Sequence, residues 1–155
     1  MNSFENLMGE ICKVILPINE EFYQGNPDSP IAVCTLSSVD LLKKFKDSKI
    51  LTKTSIVGRL LSENKGIDAI VHYINQNKKI NTIIVCGKEV WGHKAGDSLL
   101  KLHKNGTDSN GRIINSISPD PNLTVSKSQI DYFRNEVTLI NMINETNFEK
   151  IKNLI

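Results

Sequence analysis

The chain has 155 residues, 39% of them hydrophobic and 23% charged, with a formal net charge of +2. This is the composition of a soluble globular protein short enough to form one domain, residues 1–155. The charge is too small and too scattered to serve nucleic acid, since Lys43, Lys44 and Lys46 sit beside Asp40 and Asp47.

No apolar run approaches the ~20 residues of a membrane helix. The start MNSFENLMGEICKVILP also lacks the basic-then-apolar order of a signal peptide. Cys12, Cys34 and Cys86 are odd in number and widely spaced, and the last two lie inside apolar runs. They read as reduced thiols, so the expected compartment is the cytoplasm.

Along the chain, Phe4, Leu7, Met8, Ile11 and Ile15 share one helical face, which predicts an amphipathic helix ending before Pro17. Residues 25–30, GNPDSP, form a turn leading into the apolar run 31–36, IAVCTL, of the kind buried parallel strands show. Leu41, Leu42 and Phe45 predict a short helix, and Ile56-Val57 a short strand before Gly58. A helix begins near residues 62–67 and carries Ile67, Ile70, Val71 and Ile74 as a core-facing stripe.

The strongest strand pattern is 81–86, NTIIVC, ended by Gly87. A helix over 95–104 stops at Asn105-Gly106, and residues 112–117 predict a further strand before the loop Ser118-Pro119-Asp120-Pro121. Ser126 or Ser128 caps a helix carrying Ile130 and Phe133, and residues 137–143 either continue it or form a last strand. Strands alternating with helices predict an α/β, Rossmann-like fold: a mostly parallel sheet with helices on both faces. Ligands of such folds bind beyond the carboxyl ends of the strands. The loops after Leu36, Val57, Cys86 and Ile117 are therefore the ones to inspect.

The loop after Cys86, GKEVWGHKAGD, joins Gly87, Gly92 and Gly96 to the only tryptophan, Trp91, and to His93. The glycine spacing is not the G-x-G-x-x-G dinucleotide fingerprint. A histidine set among glycines at a sheet's binding edge suits an axial ligand to a flat macrocycle, one ring nitrogen on the metal and the other on a carboxylate. Glu63 and Glu89 are the available carboxylates, and Glu63 is preferred. Taken alone, G-H-x-x-G does not separate a ligand from a structural histidine. His72 and His103 fall on helix faces without metal-ligand spacing, and no zinc, P-loop or nucleophile-elbow motif occurs. Ser37-Ser38 could donate to ligand amides, and Trp91 could cover a ligand or pack on the domain.

In this order and spacing, the segments GNPDSPIAVCTLS (25–37), ENKGID (63–68), VCGKEVWGHKAGD (85–97), LHKNG (102–106), GRII (111–114) and FRNEV (133–137) resemble the cobalamin-binding A subunit of tetrahydromethanopterin S-methyltransferase. The resemblance covers residues 25–143, with an amino-terminal helix and lead-in over 1–24 and a carboxy-terminal helix over 144–155. It implies a corrinoid held at the strand ends, with His93 as lower axial ligand to cobalt.

Further contacts would come from Thr35, Leu36 and Ser37; from Gly58, Glu63, Asn64, Gly66 and Ile67; from Gly87, Glu89, Val90, Gly92 and Gly96; and from Ser118, Pro119 and Pro121. It also implies a methyl carrier, not a complete enzyme, working with methyl-donor and methyl-acceptor methyltransferase proteins. In the family the methyl group passes from methyl-tetrahydromethanopterin to coenzyme M. Two features depart from the family. The chain ends in the polar stretch NFEKIKNLI (147–155) instead of a membrane anchor, which suggests a soluble homologue. The loop 115–121 is poorer in glycine. A nucleotide-binding enzyme or sensor on the same scaffold, and an interaction module without a corrinoid, are the competing readings.

Overall fold

The computed structural model describes residues 22–155. The expected amino-terminal helix and Cys12 lie outside the described residues. One five-stranded sheet organises the rest: β1 (Phe22–Gln24), β2 (Ile31–Cys34), β3 (Ile56–Gly58), β4 (Thr82–Gly87) and β5 (Thr138–Ile143), in the spatial order β1-β3-β2-β4-β5. β3, β2, β4 and β5 are parallel, and β1 closes one edge antiparallel to β3. This is the α/β fold expected from the alternation of strand and helix patterns.

Successive side chains of a strand point to opposite faces, so each central strand supplies two cores. Ala32, Cys34, Ile83 and Val85 face one way, beneath α2 (Lys65–Gln76), α3 (Ala95–Asn105) and α4 (Lys127–Glu136). Val33, Val57, Ile84 and Cys86 face the other, beneath α1 (Val39–Lys46) and α5 (Phe148–Lys152). The predicted stripe of α2 holds, with Ile67, Val71 and Ile74 buried and Ile70 half-buried. Ser126, not Ser128, caps α4, in a reciprocal capping box with Gln129. At the carboxyl end Ile151 is buried, and Phe148 meets Phe45 edge-on at 5.1 Å. No helix of the described residues is long and apolar enough to cross a membrane.

One predicted strand is not there. Residues 112–117 make only the isolated bridges Thr107–Ile113 and Arg112–Asn122 and join no sheet. Asn115 turns left-handed (φ 65°), and only Ile113 is buried, while Ile114 and Ile117 are exposed. Residues 137–143 supply the last strand instead.

The strand order fixes where a ligand site can form. The chain leaves β2 toward α1 on one face and leaves β4 toward α3 on the other. Their two loops therefore leave the same carboxyl edge toward opposite faces, the place where ligands of such folds bind. The loop after β4 carries His93.

Candidate functional site

The loop after β4 is held at its base and open at its tip. The Ser37 hydroxyl donates to the carbonyl of Lys88 (2.8 Å), and the Lys88 N–H donates to the Ser38 hydroxyl (2.8 Å), so the loops after β2 and β4 are stapled together. Gly87 (φ 79°) allows this approach, because a Cβ there would fall 2.2 Å from the carbonyl oxygen of Thr35. The Lys94 N–H returns to the carbonyl of Val90 (2.9 Å), leaving Trp91, Gly92 and His93 as the tip of a tight turn. Gly92 and Lys94, on either side of His93, are both left-handed (φ 79° and 49°), as is buried Leu36 (φ 49°) at the end of β2. Non-glycine residues in that region persist only where their surroundings over-determine them.

Glu89 is not the partner of His93. Its carboxylate accepts the N–H groups of Val90 (2.7 Å), Gly96 (3.0 Å) and Asp97 (2.8 Å), a negative charge on the first turn of α3 where the helix dipole favours it. Glu63 takes the other role. Its side chain is 2% exposed; Oε2 lies 2.9 Å from His93 Nδ1, and Oε1 accepts the Asp120 N–H at 3.0 Å. Asn64, the cap of α2, donates to the Asp120 carbonyl and carboxylate (both 3.2 Å), fixing the loop that supplies that N–H.

A carboxylate oxygen can only accept, so Nδ1 carries the hydrogen of a neutral His93 ring and the lone pair stays on Nε2. The ring is 56% exposed, and Nε2 has no hydrogen-bond partner among the described residues. A second polar group braces the same turn: Ser98 Oγ, fully buried, lies 2.7 Å from Ser116 Oγ and 2.6 Å from Ser118 Oγ, and Ser118 donates to the carbonyl of Lys94.

The structure thus gathers most of the expected residues at one edge but gives them unequal roles. The side chains of Thr35, Leu36 and Ile67 are fully buried, and Val90, Ser118 and Pro121 are buried too. They support the strand ends from below and present no side-chain surface to a ligand. The Ser37 hydroxyl is committed to Lys88. Gly58 and Gly66 lie low in the frame, where the Gly58 carbonyl accepts the Thr35 N–H and Gly66 donates to Ser62. Gly96 packs beneath Leu36 and Ile143.

Three groups remain on the open side: Gly92, His93 and Pro119. Trp91 is 95% exposed and does not pack on the described residues. Asp120 and Ser98 were missed in the sequence. A lone aspartate between two prolines hinted at an ordered backbone, whereas one serine in a helix gave no signal. The buried thiols fit their apolar strands: burial pushes Cys34 up to about 12, and Cys86 is raised as well.

The family of the A subunit of tetrahydromethanopterin S-methyltransferase matches residues 13–155. The chain belongs to this family. It is 36% identical over 140 residues to the A subunit of the "Putative methyltransferase Mtx" of Methanosarcina acetivorans, covering 90% of this chain and 67% of the relative. It is 34% identical over 125 residues to the A 2 subunit of tetrahydromethanopterin S-methyltransferase of Methanothermobacter thermautotrophicus (79% of this chain, 66% of the relative). Against the A 1 subunit of the same methyltransferase in Methanothermobacter marburgensis the identity is 31% over 137 residues, 87% of this chain and 56% of the relative. The chain therefore spans between about half and two-thirds of the length of these members. Membership places the chain among the A subunits of a methyltransferase.

Proposed function

We propose that this chain is a corrinoid-binding methyl carrier of the cytoplasm, in which His93 Nε2 is the axial ligand to cobalt. The observation that carries the reading is the division of labour on one imidazole. Nδ1 is tied to a buried carboxylate, and Nε2 faces outward with its lone pair free. The site fits such a group. A neutral imidazole nitrogen is a good donor to a first-row transition metal, and a carboxylate on the other nitrogen raises its basicity and fixes its orientation. Beside it Gly92 is open, with nothing within 4 Å of where a Cβ would stand.

When bound, the cobalt would supply the bond to the methyl group. Everything else is the work of the chain. Glu63 keeps the proton on Nδ1, Asp120 and Asn64 keep Glu63 in place, and the left-handed turn at Gly92 and Lys94 keeps the ring at the surface. That exposure suits a carrier that must meet two separate methyltransferase proteins, one as methyl donor and one as acceptor. Methyl-tetrahydromethanopterin and coenzyme M are the carriers that the family suggests.

The test is direct. Adding aquocobalamin to the protein should change its visible spectrum on imidazole ligation and quench the fluorescence of Trp91, the chain's only tryptophan and two residues from the ligand. His93→Ala should abolish the spectral change. An identical spectrum in that variant removes His93 as the ligand. A protein that binds no corrinoid but retains a nucleotide in equilibrium dialysis would reassign the site.

A further inference from the structure

The loop 115–121 is built inside out. Ser116 Oγ and Ser118 Oγ turn inward to lie 2.7 and 2.6 Å from Ser98 Oγ, and the Asp120 N–H donates to Glu63 at 3.0 Å. The residues between them, Ile117 and Pro119, are exposed, Ile117 by 68%. A surface segment ordinarily does the reverse, with its hydroxyls in water and its isoleucine in the core, and it is such inversions that carry information.

This loop is fastened on either side of His93. The Ser118 hydroxyl donates to the carbonyl of Lys94, the next residue in the chain, and the Asp120 N–H reaches the carboxylate that holds the imidazole. Ile117 and Pro119 alternate with those ties, so they stand beside the ring. Trp91 belongs to the turn that carries the ring itself, closed by the bond from Lys94 N–H to the Val90 carbonyl, and is 95% exposed. Both loops that hold His93 thus bring a large apolar side chain to its surroundings.

We propose that Trp91 and Ile117 pack on the corrin macrocycle, so that the two loops grip the ring by its apolar surface as well as by its metal. This rests on the corrinoid reading above. A flat ring centred on Nε2 reaches past the imidazole on every side and lies over whatever stands next to it. Its carbon framework and methyl groups offer nothing to a polar neighbour, which would lose water without a new partner, whereas apolar neighbours gain by contact. The mounts are also ordered beforehand, by the Ser98 hub and by the closed turn, which lowers the cost of binding.

Aquocobalamin contains low-spin cobalt(III), which is diamagnetic, so proton NMR of its complex with the whole chain reads the contact directly. The Trp91 indole and Ile117 methyl protons should show nuclear Overhauser contacts to the corrin methyls. Trp91→Ala and Ile117→Ser should each weaken binding by about tenfold, the order expected for uncovering part of a large apolar side chain. The visible spectrum of the saturated variants should remain that of the parent, because the imidazole bond is untouched. Both side chains are exposed, so the urea midpoint should hold. A complex with the imidazole-ligated spectrum but without these contacts overturns the proposal and leaves His93 ligation standing, as does undiminished affinity in both variants. Contacts from the Trp91 indole to the rest of the chain in the free protein also overturn it. A parent protein whose addition leaves the spectrum of aquocobalamin unchanged overturns this proposal and the corrinoid reading together.

Discussion

Glu63→Gln changes one atom and should switch off the ligand nitrogen. The carboxylate of Glu63 accepts two hydrogen bonds in a buried place, from His93 Nδ1 and from the Asp120 N–H. A glutamine has one accepting oxygen and one donating nitrogen, so it cannot serve both. If its oxygen turns to His93, its NH2 meets the Asp120 N–H donor to donor and leaves a buried amide unpaired, at a cost of about 1–3 kcal/mol. If its oxygen stays on Asp120, the NH2 faces Nδ1, which must become the acceptor. The imidazole hydrogen then moves to Nε2. The second arrangement satisfies every buried group, so it should prevail.

Returning to the ligating tautomer costs the same roughly 1–3 kcal/mol, which corresponds to about 10- to 100-fold in affinity for aquocobalamin. The shape is unchanged, so the denaturation midpoint should barely move. Long-range nitrogen NMR of the His93 ring at mildly alkaline pH reports the tautomer without any cofactor, and a visible-absorbance titration reports affinity. A variant that keeps the hydrogen on Nδ1 and binds as tightly as the parent would refute the reasoning.

Other consequences follow from the same geometry. Gly87 and Gly92 share a φ of 79°, but a Cβ at Gly87 would meet the Thr35 carbonyl at 2.2 Å and one at Gly92 would meet nothing within 4 Å. Gly92→Ala should therefore cost only the left-handed backbone penalty, about 1–2 kcal/mol. Gly87→Ala should cost about 2–3 kcal/mol more, for the displaced strand end; equal urea midpoints would contradict this. Ser98→Ala removes the hub between Ser116 and Ser118 and should lower stability by about 1–3 kcal/mol in the same assay, and an unshifted midpoint would show that the hub is dispensable.

The Cys34 thiol is raised from 9.0 to about 12 by burial, so the folded state holds its proton more tightly than the unfolded chain. Its contribution is complete below pH 9 and is lost as pH rises from 9 toward 12. Stability measured across that window should fall less steeply in Cys34→Ala. An identical slope would exclude the thiol as the cause.

What the sequence made legible was the frame. Continuous apolar runs such as 31–36 and 81–86 fit strands covered on both faces, and the stripe of α2 fits a helix facing a core. Residues 112–117 are of the same length and offer Ile113, Ile114 and Ile117 to a strand. What separates them is the left-handed turn at Asn115, a backbone property that composition does not encode. Within the site, the histidine and its glycines stood out because they are chemically unusual neighbours. The sequence offered Glu63 and Glu89 as its carboxylate and favoured Glu63, without excluding the other. Glu89 is four residues from His93 and Glu63 is thirty, yet the nearer one is consumed by the first turn of α3. The glycines carried another ambiguity, because Gly87 and Gly96 serve backbone packing and only Gly92 borders open space.

These particulars also explain how an exposed imidazole can keep a fixed orientation. A surface side chain ordinarily samples several rotamers, and a ligand that must wait for the right one binds more weakly by that fraction. Here the restraint is moved below the surface. Glu63 is 2% exposed, Ser98 is fully buried, and the strained residues Leu36 and Lys94 are clamped by neighbouring hydrogen bonds, while His93 itself is 56% exposed. The loop 115–121 contributes to both braces, through the Asp120 N–H to Glu63 and through Ser116 and Ser118 to Ser98. Loosening that loop should thus free the ring without touching it. The short, proline-bounded sequence there, poor in glycine, is what a segment with that task requires.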